Sequence, residues 1–142
     1  MTNDSYFSNE EFQEILQRYE EAQQKGLATY FDSDALADIA EYYYEEGRAN
    51  DAVDAALKGV EMFPGAMAPL VFMGRYQLLK QNNPEKAKWY LEQVDNQEEP
   101  ECIYLQAEIM LVENKQDEAD SFLRQQLEWQ EDDDRDNFIL DV

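Results

Sequence analysis

The chain has 142 residues, enough for one domain that buries roughly two thirds of the surface its unfolded form exposes. A formal net charge of −22 argues against nucleic acid and acidic membrane surfaces as partners, and the absence of histidine excludes His-based acid–base catalysis and His metal ligation. The one cysteine, Cys102, excludes an internal disulfide, and no stretch approaches the ~18 apolar residues of a membrane span.

The N-terminus, MTNDSYFSNEEF, lacks a basic segment followed by an apolar run, so it does not read as a signal peptide; a cytoplasmic location is expected. Residues 1–7 read as a loose terminus. Ser8 and Glu11 then form an S-x-x-E capping box, followed by Phe12, Ile15, Leu16, Tyr19 and Ala22 at helical spacing, with Lys25 and Gly26 closing the helix. Further helices are expected over about 34–46, ending at Gly47, and 50–62, stopping at Pro64-Gly65. Pro69 marks the start of a helix reaching about Gln81. Asn83 caps, and Pro84 opens, a helix to about Val94; two more span about 99–113 and 116–130. Nothing has the alternating pattern and turn chemistry of a β-hairpin, so the expected class is all-α. Cys102 falls within the sixth of these helices and reads as a buried structural thiol.

Helices of such even length recur in register. Ala40, Gly74 and Ala107 align at steps of 34 and 33, with Leu36, Leu70 and Ile103 four residues before them. In the second helices Ala52, Ala87 and Ala119 align, each followed four residues later by Ala56, Leu91 or Leu123. Small residues at these places let paired helices approach closely. The pattern resembles the tetratricopeptide repeat, a helix–turn–helix of 34 residues with leucine, small and tyrosine positions in its first helix. Leu36, Ile39, Ala40, Tyr43, Gly47, Ala52, Ala56, Gly59 and Pro64 carry the best match. The third repeat departs from it with Gln106 where leucine is usual, and Gln77 and Met110 replace the tyrosine.

The resemblance implies a right-handed helical repeat stack, an α-solenoid. Its expected parts are an N-terminal segment and packing helix (1–32), three repeats (33–66, 67–99, 100–131), then an acidic linker and the start of a further repeat (132–142). Phe138 and Val142 fall near the large and small positions of that further first helix, so the native protein is expected to continue and this chain to self-associate through its C-terminal end or fray there. The three consecutive tyrosines separate by position. Tyr43 holds the signature place and should pack within its repeat; Tyr42 should point back towards the helix of residues 9–25, with Ile15 and Tyr19 as candidate neighbours; Tyr44 should face a ligand.

Chemistry is sparse in this sequence. A lone cysteine without histidine lacks the usual nucleophile–base pair, and no glycine-rich loop cradles phosphate. EDDDRD (131–136) fails as a calcium loop, lacking glycine at Asn137 and a closing glutamate. No enzyme activity, cofactor or metal is expected. By resemblance, the first helices line a concave groove through Ala37, Glu41, Tyr44 and Glu45, then Val71, Arg75 and Leu78, then Tyr104, Glu108 and Leu111. This apolar strip with acidic flanks implies a protein–protein interaction module for a peptide or helix carrying apolar and basic residues. The alternative is a structural spacer, the N-terminal stack of a longer scaffold with no groove ligand.

Overall fold

The computed structural model describes residues 7–27 and 30–141, with side chains described as far as Glu128. Those residues form helices joined by turns, and no strand is found among them. The chain divides into two compact units, the first reaching Phe72 and the second beginning at Met73. No helix among the described residues is long and apolar enough to cross a membrane.

The first unit holds α1 (Glu10–Lys25), α2 (Ser33–Glu45), α3 (Ala49–Met62) and the start of α4 (Met67–Leu79). The cap of α1 is Asn9, whose side chain accepts from the Glu11 amide at 2.7 Å, and not the expected Ser8. Both residues are competent caps, and Asn9 places its oxygen on an orphan N–H of the first turn. Gly26 ends the helix at φ 65°, its N–H reaching the Ala22 carbonyl. Asp32 caps α2 by accepting from Ala35 at 2.8 Å. The face between α2 and α3 is built from small residues: Ala40, Ala52, Ala55 and Ala56 are 0 % exposed. Gly59 is required by the approach of α4, since a Cβ there would lie 2.7 Å from the Pro69 ring. Pro69 is the third residue of α4, where a missing N–H still costs no helical bond.

The second unit contains the rest of α4, α5 (Pro84–Glu92), α6 (Pro100–Val112) and α7 (Gln116–Asp141). Asn83 caps α5 through the Lys86 amide with Pro84 as its first residue, as the sequence predicts. Leu105 and Ile109 fill the core with Ala87, Leu91 and Cys102. The α7 backbone runs on through 131–136, the stretch read as a linker, to Asp141. Aspartates are poor helix formers, but no glycine or proline between 116 and 141 breaks the helix. The side chains of Phe138 and its neighbours, and all of Val142, lie outside the described residues.

The recurrence read in the sequence reappears in the backbone. Gly47, Asn82 and Asn114 take positive φ (79°, 51° and 63°), each five residues before Ala52, Ala87 and Ala119. The amide that follows donates back to the preceding helix in all three turns: Arg48 to Tyr43, Asn83 to Gln77 and Lys115 to Met110, each at 2.8 Å. In the first and third turns Gly47 and Asn114 also donate to Tyr44 and Leu111, completing a Schellman motif. The acceptors Tyr43, Gln77 and Met110 are the three residues of the aligned tyrosine position.

Candidate functional site

Two of the three tyrosines turn towards α1. Tyr43 is buried, and its hydroxyl donates to Glu20 at 2.8 Å while its ring lies 6.4 Å from that of Tyr19. The Arg48 guanidinium covers the same ring at 4.5 Å and pairs with Asp51 at 2.8 Å. Tyr43 therefore binds α1 as well as its own helix pair. Burial and the Glu20 hydrogen bond both push its pKa up. Burial, with Asp54 and Asp51 nearby, raises Tyr19 to about 12.

Tyr42 turns back to α1, as expected, and its ring neighbours there are ones the sequence reading did not name. It packs on Phe12 and Phe7, each ring at 5.7 Å. A step of about 100° from Tyr43 carries it to Phe12, two turns back along α1 from Tyr19. Phe7, in the segment read as a loose terminus, is buried, and its carbonyl accepts from the Gln13 side chain. Tyr44 is half-buried and meets Phe72 edge-on at 6.2 Å.

The expected groove residues divide by burial. In the first unit Ala37 and Val71 are buried, so their side chains belong to the core; Glu41 and Glu45 are exposed. In the second unit Leu78 is buried. Arg75 reaches Glu108 at 3.6 Å, and both are partly exposed. Tyr104 and Leu111 on α6 are 57 % and 48 % exposed, on one face with Glu108 between them. The structure thus brings together Arg75, Tyr104, Glu108 and Leu111 as an aromatic and aliphatic patch with one ion pair, within the second unit.

Each unit also carries a cleft beside one of the recurrent turns. In the first, of about 270 Å³, Tyr19, Glu20, Tyr43, Arg48, Asp51 and Asp54 make a mostly polar wall. The second, of about 400 Å³, has Leu91, Ile109 and Met110 with Gln106 and a charged rim. There Glu113 accepts from Lys88 at 2.6 Å and lies 3.6 Å from Lys115. The Lys88 hydrogen bond, aided by the charge of Lys115, holds the Glu113 carboxyl below the usual glutamate range. Sequence reading did not assign these clefts, although Gln106 and Met110 had already stood out as departures from the repeat pattern. Cys102 is buried as expected, and burial pushes its thiol up, away from the reactive thiolate.

Compared with family models, with curated proteins and with solved structures, the chain matches none. The functional reading therefore rests on its own residues.

Proposed function

We propose that the chain is a non-catalytic module of three tetratricopeptide-like repeats, and that it binds a partner peptide or helix bearing apolar and basic residues. The α6 face carries this reading: Tyr104 and Leu111 hold large apolar surface in solvent around Glu108. Tyrosine suits such a face because it offers a large rigid contact area and loses little side-chain entropy on binding. The surrounding charge favours lysine or arginine flanking the partner's apolar anchors, through attraction that also speeds encounter. Arg75 and Glu108 would exchange their mutual contact for the partner's charges at the rim.

The burial of Ala37, Val71 and Leu78 favours a second reading, a structural spacer, because it removes three apolar side chains from the expected groove. Amide resonances of the labelled full chain distinguish the two. The probe is a capped peptide with leucines at helical spacing among lysines, beside a control with glutamate for lysine. Saturable shifts centred on Tyr104, Glu108 and Leu111 with the basic peptide alone support the binding module. No saturable shift, or shifts confined to other helices, would overturn it.

A further inference from the structure

The two clefts are the same place in two repeats. Tyr43, Arg48 and Asp51 line the first, and Met110, Lys115 and Glu118 line the second. Each of these lies one step of 34 and one of 33 further along the chain. What differs is the filling. In the first, the Tyr43 ring is covered by Arg48 and its hydroxyl is held by Glu20, so the wall is engaged internally. In the second, Met110 stands in place of that tyrosine and Gln106 in place of the buried Ile39.

The exchange opens space and adds a hydrogen-bonding group. The second cleft, at about 400 Å³, falls within the range of small-ligand pockets, about 300–1,000 Å³. Leu91, Ile109 and Met110 supply its apolar surface. The half-buried Gln106 side chain makes no hydrogen bond to the described residues, leaving an amide with both donor and acceptor ends. The rim holds two ammonium groups, Lys88 and Lys115, and three carboxylates, Glu92, Glu113 and Glu118. Lys88 and Lys115 both pair with Glu113, and the wall of Leu91, Gln106, Ile109 and Met110 carries no charge, so an ionic group seated there would lose hydration without a counter-ion, a cost that an uncharged ligand avoids. Helical rotation also turns Gln106, Ile109 and Met110 away from the Tyr104–Leu111 face, so this cleft is separate from the proposed partner surface.

The geometry points to a binding site for a small neutral molecule with an apolar body and one amide or hydroxyl group. The body lies on Leu91, Ile109 and Met110, and the polar group pairs with the Gln106 amide. Methionine suits such a wall because its flexible thioether adapts to the shape presented.

Three probes sharing one body test the site: phenylpropanamide, phenylpropanoate and phenylpropylammonium, titrated into the full labelled chain. The neutral amide should give saturable shifts of the Met110 methyl and the Gln106 side-chain amide, with weaker binding of both charged probes. Met110→Tyr, which restores the residue found in the first cleft, should abolish binding. Gln106→Leu should weaken the amide probe by about threefold to tenfold, the loss of one hydrogen bond. Amide dispersion checks the fold of each variant, and Gln106→Leu decides the matter if Met110→Tyr does not fold. Tighter binding of a charged probe, shifts away from these residues, no saturable shift, full binding by folded Met110→Tyr, or unaltered binding by Gln106→Leu would overturn the site.

Discussion

The Tyr43 hydroxyl donates a 2.8 Å hydrogen bond to Glu20, joining the last turns of α2 to α1. The ring of Tyr43 lies between helices while Arg48, from the following turn, covers it at 4.5 Å. One residue thus ties α1 to the α2–α3 pair.

Tyr43→Phe should keep the ring and lose the hydrogen bond, a cost of about 0.5–1.5 kcal/mol. Tyr43→Ala should remove the packing as well and cost about 3–5 kcal/mol, as for other large buried aromatics. Urea denaturation of both variants checks the order. Equal losses would mean that the ring contributes nothing beyond its hydroxyl.

Alkaline pH should weaken the first unit through its tyrosines. Tyr19 has a folded pKa of about 12 against an ordinary 10.0, and Tyr43 is raised as well. Between those values the folded state binds more protons than the unfolded one, so stability is fully present below pH 10 and falls as pH rises towards 12. Tyrosinate absorbance should show Tyr19 ionising only as pH approaches 12. Denaturation midpoints that stay flat over this range would contradict the assignment.

The glycines of the helix pairs should differ in tolerance. At Gly59 a new methyl would lie 2.7 and 2.9 Å from atoms of the rigid Pro69 ring; at Gly74 the close neighbour is the mobile end of Leu105. Gly59→Ala should therefore lose about 1–3 kcal/mol, and Gly74→Ala less. Ala52→Leu should overpack the α2–α3 face by a similar amount, since Ala52 is fully buried. Thermal melts of the three variants test this order directly.

Helix positions were legible wherever capping chemistry was unambiguous. Asn83-Pro84 and Lys25-Gly26 each combine a specific side chain with a specific backbone need, and both stand where expected. Adjacent Ser8 and Asn9 could each serve as cap, so choosing between them required geometry. One partner of Tyr42 was hidden because Phe7 precedes any helical pattern, and its value comes only from tertiary contact. The end of α7 was misplaced because an aspartate-rich run lowers helix propensity without forbidding the helix. At the candidate site, Tyr104 and Leu111 are exposed. Ala37, Val71 and Leu78 are core residues instead, because a step of about 100° separates a surface position from a buried one.

The central claim is tested most directly by the affinity of the lysine–leucine peptide for the wild-type chain and for the Tyr104→Ser/Leu111→Ser variant, measured by calorimetry at low and physiological salt. Both side chains are largely solvent-exposed, so the variant should keep its helicity. Loss of the two apolar anchors should weaken binding by about tenfold or more, a free-energy difference of at least about 1.4 kcal/mol. The wild-type affinity should itself fall with added salt, as exposed charges are screened. A variant of unaltered helicity that binds the peptide as tightly as the wild type would contradict the account.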